Sequence, residues 1–406
     1  MDHAAGGMNE RTFIHRARRD GGQAAVAGIG STAFSENLDV SGTDLAFEAI
    51  EAAVADAGLG LADIDGVVMY SIDTSTAPDM LAANLGADIG LWAELPHGGT
   101  SSCATIATAA MAVESGMADV VLCFRAMTAA DFGPTARHNP QWIAARQAGL
   151  REFVRPYGWG QLAQTYALQC QRHMHDFGTT EEQLGRAVQA MRAHAATNPN
   201  ALRSSMTMTE YASSPYVAAP LREDDCFVFP SAGACAVIVT TKERARTLRR
   251  PPALIAAALG ATARRSVPFW ELWPLRDGPI TEYASRTLAP RLYERAEIGP
   301  TDVDVAEIYD CYSYTMLAQL EDYGFCGKGE GGPFIEDIGI QVGQGLPVNT
   351  HGGHLGEAYI HGFNHIVEGV RQIRGTSTAQ VADAEVALVT GGAPGPTSAL
   401  VLTKDR

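Results

Sequence analysis

Apolar positions along this chain alternate between two rhythms, and the same succession occurs twice. Residues 43–70 place alanines and aliphatic side chains three and four apart, then a turn, then the continuous apolar run Val67-Val-Met69, which predicts an amphipathic helix, a connection and a buried strand. Residues 283–309 repeat that order, and Asp302-Val-Asp304 matches Asp63-Ile-Asp65 at an offset of 239 residues. A second pair follows in each half. It comprises the helical stretch 103–116 with the strand 119–124, and the helical stretch 357–374 with the strand 385–390. Five strands are expected per half, near 24–28, 65–70, 92–96, 119–125 and 232–240, then near 253–259, 304–309, 346–349, 385–390 and 398–403. Short apolar strands separated by helices specify an α/β protein with mostly parallel sheets, because parallel pairing needs crossovers and buries both faces. Duplication at so long a period implies two similar domains packed together rather than a solenoid.

The expected organisation is an N-terminal half from 24–125 and 226–248, a C-terminal half from 249–406, and an inserted domain over 126–225. The insertion is too long for a loop and carries helical stretches at 160–177 and 181–197. Residues 1–23 read as an arm. They hold no apolar core of the roughly seven residues a signal peptide needs. The chain also contains no run of the roughly 18 apolar residues that a spanning helix needs, so no membrane role and a cytoplasmic location are expected.

Composition narrows the function. With 406 residues, 46% apolar content and 19% charged residues, the chain can build several cores. A net charge of −16 opposes nucleic-acid binding, which requires a basic face. Seven scattered cysteines with no Cys-x-x-Cys spacing fit a reducing compartment and argue against a zinc site in this chain. Gly28-Ile-Gly30-Ser-Thr-Ala33 follows a strand, but it lacks the third glycine and the helix start of a dinucleotide fingerprint.

The chemistry concentrates in Asn349-Thr-His-Gly-Gly-His-Leu-Gly-Glu-Ala-Tyr-Ile-His-Gly362 and in Glu307-Ile-Tyr-Asp-Cys-Tyr312. Together with Ser102-Cys-Ala104, Pro220-Leu-Arg-Glu-Asp-Asp-Cys226 and Gly391-Gly392, these segments resemble the thiolase superfamily, in its sterol-carrier branch. Within that branch the pair Tyr309 and Tyr359 is similar to the steroid side-chain-cleaving aldolases. The resemblance implies a duplicated five-layer αβαβα thiolase fold with two mixed, mostly parallel sheets and an inserted loop domain covering an acyl-CoA. It also implies a homodimer and a small partner with an OB-fold and a zinc ribbon, giving an α2β2 complex in which any zinc belongs to the partner. No cofactor is expected, since CoA is part of the substrate.

A thiolase needs a thiolate, a histidine that activates it and usually a second cysteine. Cys103 stands where the resemblance places the nucleophile, at a helix start that would lower its pKa. Tyr359, however, replaces the histidine, and the strand before Gly391-Gly392 has no cysteine. Packing, or backbone N–H donation to an oxyanion together with Gly391 or Gly392, is therefore the expected role of Cys103. A tyrosine hydroxyl suits proton transfer to and from an alcohol or enolate, and the resemblance assigns Tyr359 to the substrate hydroxyl and Tyr309 to the enolate. The implied reaction is retro-aldol cleavage of a β-hydroxyacyl-CoA, a 17-hydroxy steroid side-chain thioester, to a ketone and propionyl-CoA. The alternatives are Claisen chemistry through Cys103 and noncatalytic acyl-CoA binding.

His361, His351 and Asp310 are supporting candidates. His351, His354 and His361 invite a metal, but their spacing fits no helical ligand pair and no metal is expected. Arg192 and His194 are candidates for CoA phosphates, and Trp270 with Trp273 for an apolar substrate wall.

Overall fold

Helix–strand alternation closes into a layered sheet whose central strands are covered on both faces. The computed structural model describes residues 23–36, 40–70, 78–96, 98–128, 155–159, 161–262, 279–392 and 395–406. Residues 1–22 of the arm at 1–23, Trp270 and Trp273 lie outside these residues. Nine strands form the sheet: β1 (Ala24–Ser31), β2 (Gly66–Tyr70), β3 (Leu91–Leu95), β4 (Val120–Met127), β5 (Gly233–Thr241), β6 (Ala253–Ala261), β7 (Val305–Glu307), β8 (Val386–Gly391) and β9 (Thr397–Lys404). Their spatial order is β3-β2-β4-β5-β1-β6-β9-β8-β7.

That order shows the duplication directly. Outward from the β1–β6 junction, each half runs first strand, last strand, fourth strand, second strand. The missing counterpart of β3 is the segment at 346–349, which is reduced to one parallel bridge between Ala306 and Val348. Pro347 has no N–H to extend a ladder there, so Ala306 N–H donates to the Pro347 carbonyl and Asn349 N–H to that of Ala306.

Two details of the expected sheets are corrected. Three pairings are parallel (β2–β3, β2–β4, β7–β8) and five antiparallel (β1–β5, β1–β6, β4–β5, β6–β9, β8–β9), so the sheet is mixed but mostly antiparallel. The short β8–β9 link has no room for a crossover and forces a hairpin. The two half-sheets also join into one, because β1 and β6 pair at Ala25–Leu254 and Val26–Ala253.

Helix α1 (Gly42–Ala57) explains the Gly28/Gly30 pair. A Cβ on Gly28 would sit 2.2 Å from the Ala53 carbonyl oxygen, and one on Gly30 2.2 Å from that of Ala49. These glycines let a helix approach a strand rather than cradle a phosphate. Helix α2 (Ser102–Ser115) buries Cys103, Ile106, Ala109 and Val113 in the main core. In the insertion, α3 (Leu162–Phe177) and α4 (Glu181–Ala195) add Tyr166, Leu184, Val188 and Met191 to that core, where they join Leu317 and Leu320 of α5 (Ser313–Asp322). Helix α6 (Phe363–Arg374) is buried over most of its surface. Among the described residues no helix is long and apolar enough to cross a membrane.

Candidate active site

Tyr309 follows β7 and is held by its backbone. Asn349 mimics a neighbouring strand, its Oδ1 accepting Ile308 N–H at 2.6 Å and its Nδ2 donating to the Ile308 carbonyl at 2.8 Å. Tyr309 N–H donates to Thr390 Oγ1 at 2.9 Å, Thr390 Oγ1 donates to Gln319 Oε1 at 2.8 Å, and Gln319 Nε2 returns to the Tyr309 carbonyl at 2.7 Å. Strands β7 and β8 and helix α5 thus fix one residue.

Tyr359 arrives from the other conspicuous segment. Its N–H donates to Ser231 Oγ at 3.2 Å, and its ring stacks on Phe227 with centroids 4.1 Å apart. The strap 226–231 also binds both tyrosine segments directly, with Phe227 N–H on the Cys311 carbonyl at 3.0 Å and Val228 N–H on that of His354 at 2.7 Å. The two hydroxyls consequently meet at 2.9 Å, in a buried environment. Burial pushes the Tyr309 hydroxyl well above the ordinary tyrosine range, and neighbouring Tyr359 adds to this. The Tyr309 hydroxyl therefore rests neutral beside Tyr359.

His354 lies edge-on to both rings, with centroids 4.6 Å from Tyr309 and 4.8 Å from Tyr359. Its Nε2 accepts Gly362 N–H at 3.0 Å, which leaves the proton on Nδ1, 3.3 Å from Asp310 Oδ1. Burial holds this imidazole far below its usual pKa and hence neutral. Asp310 Oδ1 accepts His354 N–H at 2.8 Å, and His365 Nε2 lies 3.0 Å from it. Asp310 thereby pins the turn Gly353–Gly356 that leads to Tyr359. Ligand atoms of Asp310, His354 and His365 lie within 4.8 Å of one another; Asp310 Oδ1 and His365 Nε2 are engaged in the contacts above, while the buried His354 Nδ1 makes no hydrogen bond among the described residues.

Other candidates are dispersed. His361 faces Tyr359 edge-on at 4.9 Å, and its carbonyl accepts the Tyr70 hydroxyl at 2.8 Å. Burial, and secondarily the Arg125 charge, keep its ring neutral. His351 points away toward a buried carboxyl group network, with Nδ1 3.0 Å from Glu307 Oε2 and Nε2 3.6 Å from Glu357 Oε2.

Cys103 is the second residue of α2, but burial pushes its thiol up to about 12, opposite to the lowering expected from a helix start. Its Sγ donates to the Val389 carbonyl at 3.6 Å. Gly391 and Gly392 pack against the turn Gly98–Ser101, beside Tyr309.

The CoA-phosphate assignment of Arg192 and His194 does not match their surroundings. Arg192 is buried in an ion pair with Asp224 at 2.6 Å, and burial lowers His194 to about 4, leaving it uncharged. His194 Nδ1 lies 3.2 Å from the Asn349 carbonyl, and its Nε2 accepts Val342 N–H at 3.2 Å, so it braces the turn instead.

Sequence reasoning weighed His354 only as a metal ligand and missed His365, Phe227 and Ser231. No local pattern marks Phe227 or Ser231, since both reach the site through tertiary contacts with segments more than 80 residues away.

Residues 276–404 match the model of the thiolase C-terminal domain-like family. A steroid side-chain-cleaving aldolase of Thermomonospora curvata is 39% identical over 95% of this chain and 99% of its own. The 17-hydroxy-3-oxo-4-pregnene-20-carboxyl-CoA lyase of Mycobacterium tuberculosis is 41% identical over 94% and 99%. Among solved structures, the Ltp2-ChsH2(DUF35) aldolase superimposes with a TM-score of 0.88 at 39% identity, covering 95% of this chain and 99% of that one.

Proposed function

Since this chain belongs to the thiolase superfamily, in the branch of the steroid side-chain-cleaving aldolases, we propose that it cleaves a 17-hydroxy steroid side-chain CoA thioester by a retro-aldol reaction. The observation that carries this reading is the buried pair of tyrosine hydroxyls hydrogen-bonded at 2.9 Å. The substrate's 17-hydroxyl proton passes to Tyr359 as the adjacent carbon–carbon bond breaks. A steroid ketone leaves, and the bonding electrons form the thioester enolate. Tyr359 hands its own proton to Tyr309, which protonates the enolate carbon to give propionyl-CoA. Each tyrosine ends as it began, and no tyrosinate accumulates, in keeping with the raised Tyr309 pKa. Backbone N–H groups of Cys103 and of Gly391 or Gly392 receive the enolate oxygen.

Claisen chemistry through Cys103 is disfavoured by a thiol held near 12. The assembly we propose contains a DUF35-type partner, by analogy with the similar Ltp2-ChsH2(DUF35) aldolase. It is built on a homodimer, supported by β3 being the outermost strand of the sheet among the described residues, where Trp92 stands half exposed. An OB-fold and any zinc would reside in the partner.

The test is incubation of 17-hydroxy-3-oxo-4-pregnene-20-carboxyl-CoA with the chain and a DUF35 partner, monitored for ketone and propionyl-CoA. Wild type and Cys103→Ala are expected to turn over, and Tyr359→Phe is not. Activity that survives Tyr359→Phe and disappears in Cys103→Ala would return the chain to covalent thiolase chemistry.

A further inference from the structure

The Tyr309 hydroxyl occupies space that any side chain at residue 99 would need. A Cβ built on Gly99 falls 2.1 Å from Tyr309 Oη and 2.6 Å from both Cε2 and Cζ of that ring. Gly99 has little room to retreat. Its carbonyl accepts Ser102 Oγ at 3.0 Å, and a Cβ on Gly391 would lie 3.1 Å from the same carbonyl oxygen and 2.3 Å from Ser102 Oγ. The tyrosine is equally fixed, by the Thr390 and Gln319 hydrogen bonds behind it and by Gly362, whose Cβ would sit 3.0 Å from Tyr309 Cδ2.

We infer that Gly99 is the positioning residue that sets the reaction class. Lacking a side chain, it admits the Tyr309 hydroxyl to the hydrogen-bonded pair. The same geometry excludes a side-chain nucleophile from the backbone position that abuts the reacting hydroxyls. Position 99 with a side chain and Tyr309 in the pair are mutually exclusive states of this fold. Cys103, four residues later at the start of α2, does not restore the nucleophile, because its thiol is buried against the Val389 carbonyl. This inference rests on the aldol reading of the tyrosine pair.

The experiment is a double-mutant cycle on the chain with its DUF35 partner, assayed on the steroid thioester. Gly99→Ala is expected to lower kcat about a hundredfold, the scale of a misplaced catalytic group, with KM for the thioester unchanged. In a Tyr309→Ala background, which removes the ring carbons as well as the hydroxyl, Gly99→Ala is expected to lower the residual rate no further, because every atom it would displace is already gone. Equal losses in both backgrounds, or full activity of Gly99→Ala, overturn the proposal.

A second cycle is read by thermal unfolding and needs no turnover. Gly99→Ala lowers Tm in the wild type, and Tyr309→Ala relieves most of that loss. If Gly99→Ala is as damaging, or as insoluble, with Tyr309→Ala as without it, the clash is not with Tyr309 and the inference fails. Absence of cleavage by the wild type, with coupling retained in the unfolding cycle, would instead reject the aldol reading and leave the mutual exclusion standing.

Discussion

At the scale of single residues, the site depends on where protons rest. Two buried hydroxyls at 2.9 Å can pass a proton in one concerted event, whereas an isolated tyrosine with a raised pKa would be a poor base. Tyr359→Phe removes the group that meets the substrate hydroxyl, and a kcat loss of about 10²–10⁴-fold is expected, the usual range for a general acid–base group. Steady-state kinetics on the steroid thioester checks this, and a loss under tenfold would reject the relay. Both tyrosines and Asp310 were legible in the sequence because they stand inside two motifs. Cys103 was legible as a residue but not as an environment, since a helix start suggests a lowered thiol pKa and only the packed structure shows that burial outweighs it.

Elements set the second scale, and β7 has a titration built into it. Glu307, two residues before Tyr309, is fully buried beside Thr350, whose Oγ1 lies 2.8 Å from Glu307 Oε1, 2.7 Å from Glu368 Oε1 and 2.8 Å from Gln372 Nε2. The amide donates to that hydroxyl, and the hydroxyl holds one proton, so it can donate to only one of the two carboxyl groups. The other relies on further donors, Ser377 Oγ at 2.5 Å for Glu368 Oε1 or Thr350 N–H at 3.3 Å for Glu307 Oε1. Burial raises Glu307 from 4.5 to about 7 and also raises Glu368. The sign follows from the folded pKa exceeding the unfolded one. Between about pH 4.5 and 7 the unfolded chain ionises Glu307 while the native chain keeps it protonated, so stability falls as pH rises through that window and levels off above it. The expected drop is on the order of 3 kcal/mol, at about 1.4 kcal/mol per pKa unit. Glu307→Gln should flatten the slope, measured as denaturant midpoints at about pH 5 and about pH 8. An unchanged slope would place the titration elsewhere.

Strand positions were largely legible because buried strands write continuous apolar runs. Their directions were not, since a run such as Leu400-Val-Leu402 carries no sign of the hairpin that makes β9 antiparallel to its neighbours. The reduced strand at 346–349 was read at full length because its apolar pattern hides the missing donor of Pro347.

For the whole molecule, the question is whether two homologous halves behave as one. The sheet crosses the junction with only two paired residues on each side, which is a weak bond between domains. Arg374, at the end of α6 in the second half, adds a second link. Its guanidinium pairs with Asp56 at 2.7 Å and donates to the Ala27 carbonyl at 2.9 Å in the first half, and it donates to the Pro251 carbonyl at 2.9 Å near the start of β6. The Arg374 side chain is nearly buried, and burial alone would depress its pKa, with Asp56 opposing that effect. Removing one partner of such a pair costs about 3–5 kcal/mol when both are buried, and the partial exposure of Asp56 places Arg374→Met toward the lower end. The main core nevertheless contains Val26, Ile106, Leu184, Leu317 and Leu400, drawn from both halves and the insertion, so neither half retains a complete core without the other. Arg374→Met should therefore lower Tm while leaving a single calorimetric transition. Two resolved transitions would show that the halves are independent bodies held by Arg374 and the β1–β6 contact, and that the shared core contributes less than its composition implies.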